Sequence, residues 1–201
     1  MKKGLLVVIS GPSGAGKGTI YKMITPKLPD IFQSISVTTR APRPNEIPDV
    51  TYYYRTDEEF EKMRERGEFL ETAKVYDHYY GTPAAPVFNA IDNGQDVIFE
   101  IDVQGAKNVK KLYPDSVLIF IMPPSFEILE SRLRNRNTEK AESLELRIKS
   151  ARDELAQYNH FDYFVVNDVA DVAASEVLEI IKAEKCVIKR NVDFIENLLK
   201  K

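Results

Sequence analysis

The residues best suited to chemistry in this chain form a glycine-rich segment that contains a lysine. The segment follows the apolar run at 5–9 and consists of Gly11, Pro12, Ser13, Gly14, Ala15, Gly16, Lys17, Gly18 and Thr19. Its glycines let backbone N–H groups converge on phosphate oxygens, and a helix starting near Gly16 directs its positive end at them. Because Lys17 then reaches the β and γ oxygens, this order of strand, loop and helix predicts a site for a nucleoside triphosphate.

The hydroxyl that would contact magnesium is shifted along this loop. Ser or Thr commonly follows the lysine directly, but Gly18 stands there and Thr19 supplies the nearest hydroxyl. Phosphoryl-transfer sites use Mg²⁺ to neutralise the phosphates. We therefore expect Mg²⁺ as the cofactor and Thr19 as one candidate ligand.

Composition limits the class of protein and partner. These 201 residues fit one compact domain, and 43% hydrophobic residues suffice for a sizeable core. The net charge is −3, from 28 basic and 31 acidic side chains, so no overall field attracts nucleic acid or an anionic membrane. We expect small-molecule partners, and the sequence leaves the oligomeric state open.

The compartment is predicted from apolar runs and cysteine usage. No apolar run approaches the ~20 residues that cross a bilayer, and the first residues enter a short strand rather than a signal peptide. The single cysteine, Cys186, suits a reducing compartment and is expected to be a small buried side chain. His78 and His160 lack partners at metal-ligand spacing and are interpreted as structural or solvated. We expect a cytoplasmic protein.

Short apolar runs predict the framework that holds the loop. Besides 5–9, such runs lie at 97–99, 117–122 and 163–166, with helical stretches between them. This alternation predicts an α/β fold with a mostly parallel central sheet. Ligands of such sheets bind at the carboxyl ends of the strands, where the glycine-rich loop also falls.

Two segments interrupt this alternation. Residues 36–85 have strand candidates near 36–39, 51–54 and 69–76, and a capping box at Thr56 opens a helix that buries Phe60 and Met63 and ends at Gly67. Residues 127–157 are polar and arginine-rich, with one apolar helical stripe formed by Leu144, Ile148, Ala151 and Leu155. The helices after 166 are interpreted as scaffold, with stripes that include Ala173, Val177, Ile180 and Ile181, and then Val192, Ile195 and Leu199.

A second anion site is suggested by two arginines. Arg40 and Arg43 stand three residues apart beside proline, in a stretch that begins at Ser36 and has no acidic residue before Glu46. Two guanidinium groups suit a second phosphate, although a solvated basic turn has the same composition.

Several separated motifs resemble one family. They are Ser36-x-x-Thr39-Arg40-x-Pro42-Arg43, then Glu46, Tyr52, Glu71, Tyr79-Tyr80-Gly81-Thr82 and Ile101-Asp102-x-Gln104-Gly105. In order and spacing, from residue 5 to about 168, the chain resembles guanylate kinase. The resemblance implies an ATP:GMP phosphotransferase that makes ADP and GDP in purine nucleotide metabolism.

The resemblance also implies roles for the acceptor-side residues. Arg40, Arg43, Tyr52 and Tyr80 would hold the GMP phosphate. Glu71 would read guanine, since a carboxylate accepts from both N1–H and the exocyclic amine, a donor pair that adenine lacks. Ser36 and Thr82 would donate to O6.

Two carboxylates follow the run at 97–99. Period-two alternation is expected to point Glu100 and Asp102 to the same side, near the cleft. Either could serve guanine or magnesium, the latter through water. We predict that both residues belong to the GMP site. Asp102 is also a candidate metal ligand.

The second insert resembles the closing lid of the family. Arg136 and Arg147 match the lid arginines that reach the ATP phosphates, and with Lys17 and Arg40 they form the predicted catalytic set. Arg132 and Arg134 fit either the lid or a solvated helix face. Asn167 resembles the adenine-side turn and is included in the ATP site, which otherwise consists of the loop at 11–19.

The resemblance further implies a division of the single domain. The core would consist of 1–35, 86–126 and 158–201, the GMP-binding insert of 36–85 and the helical lid of 127–157. This gives a three-layer phosphate-loop fold with a small β-rich insert.

Two other functions share these features. Guanylate-kinase-like scaffold domains bind phosphopeptides, but they generally lack a working phosphate loop, and Lys17 is present here. A nucleotide kinase with another acceptor would share Lys17-Gly18-Thr19, but Glu71 disfavours it. The departures from the family pattern are Gly18, the stretch at 45–48 and Asn137.

Overall fold

A computed structural model describes residues 3–28, 30–43, 46–75, 77–134 and 141–200, and for 141–144 it describes the backbone only. The described strands are β1 (Leu6–Ser10), β2 (Phe32–Gln33), β3 (Val37–Thr38), β4 (Tyr53–Tyr54), β5 (Phe69–Val75), β6 (His78–Pro83), β7 (Val97–Glu100), β8 (Val117–Met122) and β9 (Tyr163–Val166). The described α-helices are α1 (Lys17–Ile24), α2 (Asp57–Glu65), α3 (Ala84–Asp92), α4 (Val103–Leu112), α5 (Phe126–Arg134), α6 (Ala141–Leu155), α7 (Ala170–Cys186) and α8 (Val192–Leu199).

The central sheet has five strands in the order β2-β7-β1-β8-β9, and every pairing in it is parallel. The apolar runs predicted four of these strands. The fifth, β2, has only two residues, too few for a periodic signal. The strand that precedes the glycine-rich loop, β1, is central and buried along its whole length.

Apolar layers cover both faces of this sheet. Val7 and Ile9 of β1 pack with residues of α1 and α7, whereas Leu6 and Val8 pack with residues of α3 and α4. Successive side chains of a strand point to opposite faces, so an unbroken apolar run requires cover on both sides. The predicted α/β fold of three layers with a mostly parallel sheet is confirmed.

The first interruption folds into a second sheet. Its four strands have the order β4-β3-β6-β5, with β3 and β4 parallel and the other pairings antiparallel. Thr56 caps α2 through both hydrogen bonds of the predicted capping box. Phe60 of that helix is buried and stacks on Phe69 and Tyr79, with ring centroids 4.6 and 5.4 Å away. The helix therefore packs against β5 and β6 of the insert.

The C-terminal part differs in two ways from the sequence-based expectation. Cys186, expected to be buried, is exposed because it lies at the end of α7, beyond the last buried turn. No residue of α8 is buried, and Leu199 is 80% exposed, so the stripe of this helix does not join the core. None of the described helices combines the length and apolarity that a membrane crossing requires.

Candidate functional site

The glycine-rich loop connects β1 to α1, and its shape depends on Gly16. This residue has a φ of 90°, which favours glycine, and stands at the start of α1. A Cβ at this position would lie 2.2 Å from Nδ2 of Asn167. The loop conformation and the place of Asn167 therefore depend on each other.

Asn167, which follows β9, braces the loop. Its buried side-chain amide donates to the carbonyl of Ala15 at 2.8 Å, across 152 positions of sequence. Its own carbonyl accepts from Nη2 of Arg132 at 3.0 Å. The residue was predicted to contact the ATP base, and the structure gives it this supporting contact with the loop.

A cavity of about 420 Å³ opens beside the loop on this side. Its walls are Gly14, Gly16, Thr19, Arg132, Asn167, Asp168 and Ala170. Nη1 of Arg132 is buried and has no hydrogen-bond partner among the described residues. A buried donor without a partner favours a ligand acceptor at this position. Arg132, for which the sequence left two interpretations open, thus lies at the cavity, whereas Arg134 is exposed and pairs with Glu130.

Two groups of the loop, the Lys17 side chain and the Ser13 backbone, make hydrogen bonds within the protein. Nζ of Lys17 donates to the carbonyls of Gly11 at 2.7 Å and Pro12 at 3.1 Å. The backbone N–H of Ser13 donates to Oε2 of Glu154, on α6, at 2.9 Å. A carboxylate of the chain itself is thus bound by the loop that the sequence assigns to phosphates.

On the acceptor side, the structure brings Arg40, Tyr52 and Tyr80 together. Nε of Arg40 donates to the Tyr80 hydroxyl at 3.2 Å, and its guanidinium lies 5.5 Å from the centre of the Tyr52 ring. The two tyrosine rings meet edge to face at 6.0 Å. Arg43 contributes its backbone N–H to the same region, while its side chain is exposed.

Glu46 holds this cluster. Its carboxylate accepts from both terminal nitrogens of Arg40, at 2.9 and 2.7 Å, from the Arg43 N–H at 2.8 Å and from the Tyr54 hydroxyl at 2.8 Å. These hydrogen bonds, led by that from Arg40, lower the pKa of Glu46 to about 2. The sequence included Glu46 only as part of a motif, since nothing local indicated which arginine it would contact.

Glu71 lies in a row of polar side chains across the second sheet. It stands opposite Thr82 in the β5–β6 pairing, and the Thr82 hydroxyl donates to Oε1 of Glu71 at 2.7 Å. Val37 stands opposite Gly81, so Ser36 lies one position further along, toward Thr82. Paired residues point to the same face of a sheet. The register therefore aligns the three residues that were assigned to guanine.

Glu71 is buried, and of its two carboxylate oxygens only Oε1 accepts the hydrogen bond from the Thr82 hydroxyl. Burial raises its pKa to about 7, the hydrogen bond from Thr82 opposes this, and the charge of Asp102 adds to it. A Cβ at Gly105 would lie 2.8 Å from Oε2, so this oxygen faces the first turn of α4. A buried carboxylate of this kind is suited to a ligand that brings its own donors.

Glu100 and Asp102 do not share one side of a strand, because β7 ends at Glu100. Asp102 is the N-cap of α4, and its Oδ1 accepts from the Gly105 N–H at 2.7 Å. Glu100 lies against α1, since a Cβ at Gly18 would lie 3.3 Å from its Oε2, and its charge also acts on Tyr52. The expected alternation stops where the helix cap begins.

The metal-ligand candidates fall in different places. Thr19 borders the cavity near Asn167, whereas Glu100 borders Gly18 and Asp102 caps α4. Within the described ranges, no group of three or more His, Cys, Asp and Glu side chains could hold a metal ion. The protein donors thus suit a metal that takes most of its ligands from phosphate and water, as Mg²⁺ does.

The helices of the second interruption pack on the loop. Leu129 and Leu133 of α5 and Ala151 of α6 form a small buried cluster, and a Cβ at Gly14 would lie 3.1 Å from the Leu133 side chain. Arg147 is half-buried on α6. Arg136 and Asn137 lie outside the described residues, so their predicted place in the lid stays a prediction.

Sequence reasoning missed Glu154 as a contact of the loop. The residue is 141 positions from Ser13, and on its helix only Arg147 and the apolar stripe were singled out from the sequence. It stands seven residues after Arg147, two helical turns along the same face, but this spacing alone does not specify a contact with the loop.

Comparison with known proteins agrees with these observations. The family model described as guanylate kinase matches residues 3–184. The chain is 50% identical over 192 residues to guanylate kinase of Caldanaerobacter subterraneus subsp. tengcongensis, covering 96% of this chain and 93% of the relative. It is 51% identical over 190 residues to that of Carboxydothermus hydrogenoformans, covering 94% and 93%.

A solved structure agrees as well. The crystal structure of guanylate kinase from Anaplasma phagocytophilum superposes with a TM-score of 0.79 at 33% identity, covering 94% of this chain and 90% of that one. The resemblance is confirmed, and the chain belongs to the guanylate kinase family of enzymes.

Proposed function

We propose that this chain transfers the γ-phosphoryl group of ATP to GMP, giving ADP and GDP. The observation that carries the proposal lies at the end of β7. Glu100 there faces Gly18 beside the phosphate loop, and the following turn places Gly105 against Glu71. A donor loop and a base-reading carboxylate thus flank one short segment, which is the arrangement that transfer between two nucleotides requires.

Glu71 selects guanine. In the ionised state it accepts hydrogen bonds from N1–H and the exocyclic amine, while Ser36 donates to O6. The Thr82 hydroxyl has one proton, which it gives to Oε1 of Glu71, so it would have to turn from Glu71 to donate to O6 as well. Adenine offers no such donor pair, so AMP would leave a buried carboxylate without the two donors of the base, at a cost of about 3 kcal/mol. Glu100 and Asp102 are proposed as further acidic groups of the GMP site, because the charge of Asp102 acts on Glu71 and that of Glu100 acts on Tyr52.

Four residues hold the phosphate of GMP. Tyr80 accepts from Arg40, which leaves the proton of its own hydroxyl for a phosphate oxygen. Tyr52 packs against both residues, and Arg43 extends from the same loop. Because Glu46 already orients Arg40, little side-chain entropy is lost when GMP binds.

The loop at 11–19 holds the phosphates of ATP. Its backbone N–H groups surround them, Lys17 turns from the loop carbonyls toward the β and γ oxygens, and the adenine end occupies the cavity beside Asn167 and Arg132. Phosphoryl transfer depends mainly on in-line positioning and on positive charge at the equatorial oxygens. Lys17, Arg136 and Arg147 supply that charge on the donor side.

The donor set fits Mg²⁺ held largely by water and phosphate. Thr19 and Asp102 remain the proposed contacts, and Glu100 is added because its carboxylate lies beside the start of α1. When bound, the ion would supply positive charge that neutralises the phosphates. The side chains named here would orient its bound water.

The division of the domain follows from these roles. The core consists of 1–35, 86–126 and 158–201, the insert of 36–85 closes over GMP, and the lid of 127–157 closes over ATP. Closure excludes water, which would otherwise accept the phosphoryl group. The substrates are small molecules, and a cytoplasmic location stays a prediction.

The proposal is tested by ADP formation in a coupled assay with ATP, Mg²⁺ and either GMP or AMP. We expect rapid turnover with GMP only, and a loss of at least about 100-fold in kcat/KM in Lys17→Ala and Glu71→Ala. Lys22→Ala, an exposed lysine of the same helix, and Glu65→Gln, an exposed carboxylate of α2, are the matched controls. Equal rates with AMP would contradict the role of Glu71, and GMP binding without ADP formation would favour a binding module.

A further inference from the structure

The loop that is proposed to bind phosphates is bound by a carboxylate of the same chain. Oε2 of Glu154 accepts the N–H of Ser13 at 2.9 Å, and Ser13 lies in the middle of the loop. A carboxylate oxygen and a phosphate oxygen make the same kind of charge-assisted hydrogen bond with a backbone N–H. Glu154 therefore takes a position that suits a phosphate.

The electrostatics of Glu154 indicate a replaceable contact. Burial raises its pKa, and the Ser13 hydrogen bond and the charge of Lys17 only partly oppose this. The ionised carboxylate is thus less stable here than in water. Glu46 differs, since four hydrogen bonds lower its pKa to about 2 and fix it to Arg40. Glu46 is therefore held firmly by its partners, whereas Glu154 is held weakly.

The position of Glu154 on α6 links this contact to the lid. Arg147, Ala151 and Glu154 recur at helical spacing, so they share one face of the helix. Ala151 is buried in the cluster that packs α6 on α5. The face that reaches the loop through Glu154 therefore also carries the arginine that is proposed to reach the ATP phosphates.

We propose that Glu154 is an internal competitor of the phosphoryl donor. In the nucleotide-free chain its carboxylate holds the Ser13 N–H, and a phosphate of the incoming ATP takes its place. This inference rests on the proposed binding of ATP by the loop. Glu154 and Arg147 share one face of α6, so the arginine stands on the same side of the helix as the contact that ATP replaces. The bound carboxylate reduces the apparent affinity for ATP by the fraction of chains that it occupies.

Titration calorimetry on the full chain tests the proposal, with ATP and adenosine as probes. Glu154→Gln keeps the size and an acceptor oxygen but removes the charge, so we expect ATP to bind about tenfold tighter. Asp153→Asn removes the same charge from the neighbouring exposed position and should leave ATP affinity within about twofold. Adenosine has no phosphate, and its affinity should not change in either variant.

Other results would overturn the inference. Unchanged or weaker ATP binding in Glu154→Gln would do so, and so would an equal gain of ATP affinity in Asp153→Asn. Glu154→Ala, which removes the contact altogether, must shift ATP affinity in the same direction as Glu154→Gln. If the unsubstituted chain binds ATP no better than adenosine, and Lys17→Ala changes nothing, then the loop is not the ATP site and both proposals fail. If Lys17→Ala abolishes ATP binding while Glu154→Gln has no effect, only the inference fails.

Discussion

The pKa of Glu71 should control the affinity for guanine near neutral pH. Only the ionised carboxylate accepts both donors of the guanine edge, and burial raises its pKa to about 7 in the nucleotide-free chain. The ionised fraction is then about 0.9 at pH 8 and about 0.1 at pH 6. Guanine binding should therefore weaken by about tenfold as the pH falls from 8 to 6.

Guanosine is the appropriate probe, because the phosphate of GMP titrates in the same pH range. We expect the dissociation constant of guanosine from calorimetry to rise about tenfold from pH 8 to pH 6 in the unsubstituted chain and in Glu65→Gln. In Glu71→Gln binding should be weak at both pH values, because the amide group presents a donor to the guanine donors. A constant guanosine affinity between pH 6 and 8 in the unsubstituted chain would refute the reasoning.

The same shift has a consequence for folding. A carboxyl group whose pKa is raised by folding binds its proton more tightly in the folded chain, so stability decreases as the pH rises from about 4.5 to about 7. The shift corresponds to about 3 kcal/mol at most. Glu71→Gln removes the buried charge, and at pH 8 it should raise the free energy of unfolding by about 1–3 kcal/mol in urea denaturation. A less stable variant at pH 8 would contradict the raised pKa.

Three further substitutions test individual contacts. Glu46→Ala should weaken GMP binding by about tenfold in calorimetry and leave guanosine binding unchanged, because the carboxylate acts on Arg40 and not on the base. Gly105→Ala would place a Cβ 2.8 Å from Oε2 of Glu71, so GMP affinity should fall about tenfold while ATP affinity is retained. Gly16→Ala combines a φ of 90° with a 2.2 Å contact to Asn167, and thermal unfolding should show a loss of about 1–3 kcal/mol together with lost ATP binding.

The sequence predicts best what is encoded locally. The glycine-rich loop, the capping box at Thr56 and four of the five strands of the parallel sheet were predicted from neighbouring residues, because backbone freedom, helix capping and apolar runs act over short distances. The row that contains Glu71 and Thr82 was predicted only through a resemblance, since its alignment depends on strand pairing. In the structure, the pairing of Glu71 with Thr82 across β5 and β6 explains why the two side chains lie together.

The remaining features depend on contacts between distant segments. Glu154 meets Ser13 across 141 positions, and Asn167 meets Ala15 across 152. No periodicity in the sequence specifies such a contact, because a charged residue on an amphipathic helix usually lies in water. Cys186 was wrongly expected to be buried for a related reason: exposure depends on where α7 ends relative to the core.

Gly18 shows how a departure from the common loop pattern follows from such a contact. Serine or threonine at this position would add a Cβ 3.3 Å from Oε2 of Glu100, so the carboxylate would have to move by a few tenths of an ångström. A glycine lets Glu100 approach the start of α1, where the positive end of the helix stabilises a carboxylate. The lack of a side chain at Gly18 thus leaves room for the carboxylate of Glu100. The chain gives up a hydroxyl next to Lys17 and gains a carboxylate beside the phosphate loop, a ligand that Mg²⁺ prefers.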